Sequence, residues 1–535
     1  MTWTFADIWE TNAATVPDKA ALVHGTRSIS WREMNQRANG VATALLEAGV
    51  AQQDKVAQYL YNCPEYMESM FGVYKAGLVP VNTNYRYTAD ELVYLWVNSD
   101  AVAVVFHGSF VDTIEDIRAK VPGVTTWLWV DDGSGPCPSW ATAYETSAAR
   151  GSEHNVSGSW GRNPDDLYML YTGGTTGMPK GVMWPQSELM KLQRTIDRKL
   201  PFEADYDYVA AKAPRTKDVY VPCCPLMHGT GAFGAFQALH TGGTVVTLES
   251  RSFDAAELFD ATDRNGVTRI AIVGDAFAKP MLRALESQPD RWNLDSMFAI
   301  ISSGVMFSQE SKEALLEHIP QAMVVDSFGS SEAIGMGSSV SSKDKAVSTA
   351  KFDLGDKAIV VDDDGNRVIA GSGVMGRVAV KGILPVGYYK DPEKSAKTFI
   401  TIEGERYSTP GDYAYVEADG SLTLLGRGSV CINTGGEKVF VEEVEEALKR
   451  HAAIRDAVVV GIPDEKFGQA VTGVVEVNAS ADFDESDVIA HVKLTLAAYK
   501  APKRLVSIDS IGRAANGKVD YKRLTTYATD QLTQP

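Results

Sequence analysis

Tyr171-Thr172-Gly173-Gly174-Thr175-Thr176-Gly177-Met178-Pro179-Lys180-Gly181 follows directly on an apolar run at 167–170. An apolar run ending in a glycine-rich turn reads as a buried strand that delivers a loop to its end. The four glycines let backbone N–H groups crowd a polyphosphate, Thr172, Thr175 and Thr176 add hydroxyl donors, and Lys180 supplies a compact positive charge. A bare surface turn would not require three glycines, three threonines and a lysine between 172 and 180. Gly181 stands where a Walker loop needs Ser or Thr, so this phosphate loop is of a different kind.

Other glycine patterns compete with it and lose. Gly229-Thr230-Gly231-Ala232-Phe233-Gly234 fits G-x-G-x-x-G between a strand-like and a helix-like run, with Glu249 twenty residues beyond Gly229. Pro222 and Pro225 fall where the first strand of a dinucleotide fold would enter its turn, which a central strand tolerates badly. The same pattern recurs from Gly371 to Gly376 in a β-rich stretch with no helix after it, so 46 glycines generate it readily. Gly512 to Lys518 approaches a Walker loop, but Val519 follows the lysine and too little chain remains for such a domain.

Outward from the phosphate loop, strand-like and helix-like runs alternate as in a parallel-sheet α/β fold. Helices are expected at 32–46 (Met34, Ala38, Val41 and Leu45 at helical spacing) and from Pro64 to Gly77. Strands are expected at 55–61, 78–81, 102–106, 219–222, 244–248, 270–273, 297–301 and 323–325. After about 355, short strands with turn residues indicate a β-rich subdomain. From 428 the texture is mixed again, with helices at 442–450 and 485–496 and strands at 457–460 and 471–477. At 535 residues the chain exceeds what one core supports. The expected fold class is α/β: a large N-terminal domain, 1–427, of mixed parallel sheets wrapped by helices plus the β-rich subdomain, and a small α+β C-terminal domain, 428–535.

With 69 acidic against 51 basic residues the net charge is −18, which repels polyanions. No nucleic-acid partner is expected, and an anionic ligand needs a dedicated local site. Cys63, Cys137, Cys223, Cys224 and Cys431 form neither a disulfide framework nor a C-x-x-C metal site. The first ten residues include Asp7 and Glu10 and no basic residue, and no apolar run approaches the ~18 residues of a membrane span. A cytoplasmic protein without a transmembrane segment is expected.

Seven ordered motifs make the chain resemble the adenylate-forming superfamily of acyl-CoA synthetases, firefly-type luciferases and peptide-synthetase adenylation domains. Residues 171–181 resemble the phosphate loop, with Gly174 where many members have Ser. Residues 222–231, with His228, resemble the acyl-pocket motif. Asp326-Ser327-Phe328-Gly329-Ser330-Ser331-Glu332 resembles the adenine motif, residues 407–412 the ribose motif, and Gly426-Arg427 the end of the large domain. Thr434-Gly435-Gly436-Glu437-Lys438 with residues 441–445 resembles the opening of the small domain, and Asn516-Gly517-Lys518 its terminal lysine motif.

The resemblance implies ATP, Mg²⁺ and CoA as cofactor and co-substrates. ATP would be bound by Thr172, Gly173, Gly174, Thr175, Thr176, Gly177, Lys180, Asp326, Ser327, Phe328, Ser331, Asp412 and Arg427. Phe328 offers a face to adenine, Asp326 accepts from its exocyclic amine, and Asp412 accepts the ribose hydroxyls. Glu332 is the implied Mg²⁺ ligand and Lys518 the catalytic lysine that stabilises charge as carboxylate attacks the α-phosphorus. His228 guards the acyl pocket in this reading; a core histidine remains the alternative. The mobile small domain would then bring Gly435 and Gly436 to the CoA path. Ser429 at the hinge, Pro410 within the ribose loop and Val441 for a frequent Pro depart from the family pattern.

The acyl pocket is expected along residues 223–236 and 302–306, with Met227, Phe233 and Gly304. Small residues between bulky apolar ones suit a large hydrophobic acid, although ordinary packing accounts for them as well. The segment from Tyr171 to Trp184 is most similar to ligases for fatty acids and steroid side-chain carboxylates. The expected function is ATP-dependent ligation of a medium- or long-chain fatty acid or steroid side-chain acid to CoA through an acyl-adenylate, releasing AMP and pyrophosphate. The alternatives are loading of a carrier protein or a luciferase-like oxidase on the same fold. Expected partners are the acid, ATP and CoA; a homodimer is left open.

Overall fold

A computed structural model describes residues 3–172, 178–196, 206–305, 307–345, 347–434, 437–464, 468–479, 481, 483–496, 498–514, 517 and 519–533. The backbone forms two compact units. The first comprises Met1–Ile334, Val340–Val347 and Lys381–Ser408, and the second Gly335–Ser339, Ser348–Val380 and Thr409–Pro535.

Two sheets build the first unit. One runs in the order Arg27–Ser30, Ala20–His24, Thr244–Thr247, Val219–Pro222, Arg269–Ile272, Ala299–Ser303, Met323–Ser330. All its neighbours are parallel except the first pair. The other runs Gly387–Tyr388, Lys180–Pro185, Leu167–Thr172, Val79–Asn82, Lys55–Tyr59, Ala101–His107, Thr126–Val130, Thr142–Ala143. Strands such as Arg269–Ile272 and Val79–Asn82 are buried at every position, as both-faces-covered parallel strands must be.

Helix Trp31–Glu47 is capped by Ser30, whose hydroxyl accepts from Glu33 N, and it buries Met34, Ala38, Val41 and Leu45. Helix Pro64–Lys75 begins with proline at its first position and is buried along its whole length. Its charged residues are therefore paired: Glu68 meets Arg37 at 2.8 Å and Lys75 meets Glu10 at 2.7 Å. Burial pushes Glu68 up to about 7, with Arg37 opposing.

In the second unit, strands Lys351–Leu354, Leu422–Arg427, Asp412–Val416, Met375–Lys381 and Ala358–Val361 pair antiparallel in that order. A further sheet joins Glu437–Val439, Ile432–Thr434, Gly468–Val477 and Ile454–Asp464, with Arg504–Ser507 parallel to Gly468–Val477. Helices Val441–Lys449 and Glu485–Thr495 bury Val444, Leu448, Val488 and Val492 in the core of this sheet. The ladder of Ile454–Asp464 with Gly468–Val477 extends well past the strands expected at 457–460 and 471–477. The 427/428 position falls between strand Leu422–Arg427 and the short turn Gly428–Val430.

The observed class is thus mixed α/β with large sheets and a small C-terminal sheet domain, as expected. Among the described residues no helix is long and apolar enough to cross a membrane. All five cysteines are free.

Candidate active site

The expected phosphate loop lies between two antiparallel strands. Strand Leu167–Thr172 pairs with Lys180–Pro185 in a register that sets Thr172 opposite Lys180 and Tyr171 opposite Gly181. The predicted nucleotide residues Thr172 and Lys180 therefore face each other at the two ends of the loop. Gly173, Gly174, Thr175, Thr176 and Gly177 lie outside the described residues. Asn82 fixes where this hairpin stands. It accepts from Tyr171 N, and its Nδ2 donates to the carbonyls of Tyr171 at 2.9 Å and Met227 at 2.6 Å. One buried amide so joins the phosphate hairpin to the turn preceding His228.

Asn62 secures the other side of that turn, donating to the carbonyls of Pro222 and Cys224 at 3.1 Å each and accepting from Leu226 N at 2.7 Å. His228 is half-buried and begins helix Gly229–His240. The G-x-G-x-x-G run lies inside this helix rather than in a loop. Its glycines serve close packing: a Cβ on Gly231 would meet the Pro225 carbonyl at 2.6 Å, and one on Gly234 the Tyr220 ring at 2.3 Å. Met227 is buried, and Phe233 is half-buried against Phe236 at 6.3 Å between ring centroids.

The adenine motif occupies the end of strand Met323–Ser330, whose Asp326 and Ser327 stand in register with Ser302 and Ser303 of the neighbouring parallel strand. Four parallel strands thus end side by side at residues 222, 272, 303 and 330. The crevice outside the carboxyl ends of such strands is where open α/β sheets bind ligands. Gly304 follows at φ +95°, a conformation that suits glycine. Asp326 and Phe328 are largely enclosed, 3% and 7% exposed. Ser331 offers its carbonyl to Trp184 Nε1 at 3.0 Å, tying this motif to the strand after the phosphate loop.

Glu332 is buried, and its Oε1 accepts from the Tyr388 hydroxyl at 2.7 Å. Tyr388 belongs to the short strand Gly387–Tyr388, paired with Lys180–Pro185, and its ring centroid lies 5.7 Å from Lys180 Nζ. The phosphate-loop lysine and the predicted metal carboxylate therefore meet across one tyrosine. Among the described residues no three of His, Cys, Asp and Glu cluster as a metal site. A lone hard oxygen ligand of this kind suits Mg²⁺, which keeps several waters and takes phosphate oxygens as further ligands.

In the second unit Asp412 is buried and stands opposite Arg427 in the register of their strands. Of Arg427 only the backbone is described. Gly435 and Gly436, between the paired residues Thr434 and Glu437, lie outside the described residues, as does Lys518.

The family profile described as AMP-binding enzyme matches residues 9–389, and that of the AMP-binding enzyme C-terminal domain matches 443–518. The chain belongs to the AMP-binding enzyme family. Among relatives of this AMP-binding enzyme is a Mycolicibacterium smegmatis protein named medium/long-chain-fatty-acid–CoA/3-oxocholest-4-en-26-oate–CoA ligase. It is 39% identical over 98% of this chain and 96% of that one. A Rhodococcus rhodochrous 3-oxocholest-4-en-26-oate–CoA ligase is 38% identical over 99% and 96%. The crystal structure of ATP-bound MatB from Rhodopseudomonas palustris superposes with a TM-score of 0.81 at 26% identity, covering 99% of this chain and 100% of that one. The resemblance to adenylate-forming acyl-CoA synthetases thus extends over nearly the whole chain, and the ligase class agrees with the names these relatives carry.

Three residues that contact the expected site residues escaped the sequence reading: Asn82, Tyr388 and Lys312, the last lying 3.7 Å from Asp326. The two-residue strand carrying Tyr388 has no periodicity to detect. Asn82 could have been flagged as a polar side chain ending the apolar run at 78–81.

Proposed function

We propose that this AMP-binding enzyme activates a hydrophobic carboxylic acid, a medium- or long-chain fatty acid or a steroid side-chain acid, with ATP and transfers it to CoA. The observation that carries the reading is the meeting of Lys180 and Glu332 at Tyr388 beside the phosphate hairpin. A cation and a hard carboxylate brought to one tyrosine beside that hairpin support the binding of a triphosphate there. The adenine face is assigned to Phe328, the exocyclic amine to Asp326, and the ribose to Asp412 with Arg427. The names of near-full-length relatives support the choice of acid.

In this reading the acid enters along the His228 turn and the helix carrying Phe233, with Met227 and Gly304 at its walls. Its carboxylate attacks the α-phosphorus and pyrophosphate departs toward Lys180. Glu332 would hold Mg²⁺, which when bound neutralises phosphate charge and orients the leaving group. Lys518 stabilises the pentavalent arrangement. The 428–535 domain then turns about its junction with 1–427, withdrawing Lys518 and presenting Gly435 and Gly436 to the pantetheine arm, whose thiol attacks the mixed anhydride and releases AMP. Cytoplasmic residence completes the proposal; sedimentation decides between monomer and homodimer.

The test is pyrophosphate and AMP release with MgATP and acetate, octanoate, palmitate, an aryl acid or a steroid side-chain acid, each with and without CoA. CoA-dependent thioester formation with octanoate, palmitate or the steroid acid is expected. Thioester from acetate or the aryl acid alone would overturn the substrate class. Pyrophosphate exchange without CoA consumption would point instead to a carrier protein or an oxidative second step.

A further inference from the structure

Lys312 lies on helix Gln309–His318 with its side chain 1% exposed. Among the described residues its Nζ has no hydrogen-bond partner. Asp326 Oδ2 stands 3.7 Å away, an ion pair too long for a hydrogen bond, and the buried Phe307 ring lies 5.8 Å from the nitrogen. An enclosed ammonium left without an acceptor costs stability, so its retention asks for a role.

The groups facing this pair set its charge balance. Burial pushes Asp326 up to about 7; Lys312 opposes that shift and Asp275 adds to it. Burial draws Lys312 down from its ordinary range, against Asp326, Asp275 and Glu310. Asp275 is engaged elsewhere: it accepts from Ser308 N at 3.2 Å and Oγ at 2.9 Å and lies 3.8 Å from Lys279 Nζ. Lys312 is thus the cation that faces Asp326 directly.

We propose that Lys312 is a positioning residue of the nucleotide site, holding the Asp326 carboxylate as a hydrogen-bond acceptor and so selecting the 6-amino group of adenine over a 6-oxo purine. The proposal rests on the assignment of Asp326 to the adenine amine. An ionised carboxylate accepts from an amine and repels a 6-oxo oxygen; a protonated one can donate to that oxygen. Without Lys312, burial and Asp275 push the Asp326 carboxyl further up, and the pH above which adenine is preferred rises with it.

The experiment measures dissociation constants of MgATP and Mg-inosine triphosphate by calorimetry between pH 6 and 9 on the full chain, with melting followed in parallel. Wild type is expected to favour ATP from pH 7 upward, with the preference narrowing toward pH 6 as Asp326 itself protonates. Lys312→Met should lose roughly tenfold in ATP affinity at pH 7, the free-energy equivalent of about one unit of carboxyl pKa. It should gain in inosine triphosphate affinity and recover ATP preference toward pH 9; Lys312→Arg should restore it at pH 7. Equal losses for both nucleotides at every pH, or a wild-type ratio and profile, would overturn the proposal. Should Lys312→Met not fold, Lys312→Met with Asp326→Asn removes both charges and keeps an amide acceptor; its ATP affinity should not vary with pH, and a persisting pH dependence overturns the proposal. ATP binding by wild type without preference over inosine triphosphate would remove the Asp326 assignment and this proposal with it, and no ATP binding would reject the function proposed above.

Discussion

Lys75 and Lys312 are both enclosed by the first unit, at 0% and 1% side-chain exposure, yet their surroundings differ. Lys75 donates to Glu10 at 2.7 Å and to Asn155 at 3.3 Å, and Arg162 holds the same glutamate at 2.9 Å. That cluster ties helix Phe5–Thr15 to helix Pro64–Lys75, and burial draws Lys75 down only to about 8, which leaves it charged at neutral pH. Among the described residues Lys312 has one carboxylate at ion-pair distance and no hydrogen bond. A charge held by hydrogen-bonded partners serves the fold; a charge left partly unmatched beside a carboxylate assigned to a ligand is placed for what that carboxylate binds.

The separation between fold-holding and ligand-directed charge can be broken by substitution. The largest effect is expected at Lys518. Lys518→Ala should slow adenylate formation by roughly a thousandfold, as removing a transition-state charge partner does, with melting unchanged and thioester formation from a presynthesised acyl-adenylate spared. Equal loss in both half-reactions would reject its assigned role. Glu10→Gln should do the converse, lowering stability by about 3 kcal/mol by stranding the enclosed Lys75, while kcat/KM per folded molecule stays at the wild-type value. A changed kcat/KM would place that cluster in the site after all.

A similar magnitude is expected from pH. His107 is buried, its Nδ1 accepts from Tyr61 N at 3.1 Å, and burial depresses its pKa to about 4 against Asp132 and Glu65. Between about 4 and the ordinary 6.5 the folded chain binds fewer protons than the unfolded one. Stability from this group is therefore present above 6.5 and falls as pH drops toward 4, by about 3 kcal/mol in all. His107→Asn should flatten that acid limb in urea titrations; an unchanged limb would assign it to other groups. The smallest effect belongs to Tyr388→Phe. Losing one hydrogen bond to Glu332, about 1 kcal/mol, should raise the Mg²⁺ requirement severalfold. An unshifted Mg²⁺ titration would detach Tyr388 from the metal carboxylate.

Much of the first unit was legible because its strands are continuous apolar runs and its helices carry regular stripes. Strand Val219–Pro222 has the expected bounds, and helix Trp31–Glu47 exceeds the expected one by a residue at each end. The Gly229–Gly234 pattern was harder, since glycines needed for close contact and glycines needed for a loop look alike until Tyr220 and Pro225 are placed beside them. In the site, the residue types of Asp326 and Glu332 spoke for themselves within a motif. Tyr388 and Lys312 did not, because their meaning comes from partners 56 and 14 positions away along the chain. Long-range pairing writes no local pattern into a sequence.

The register that sets Thr172 against Lys180 has one more consequence. Residues 173–179 are closed by a ladder that Asn82 anchors from a different strand, so the ends of the segment are held whatever its composition. Loop-closure entropy grows only with the logarithm of length, about 0.6 kcal/mol for each doubling. The scaffold therefore exerts little thermodynamic control over how many residues span the gap. Variation there is filtered by turnover instead of by folding, and a chain altered between 173 and 179 is expected to accumulate as a well-folded, catalytically silent protein.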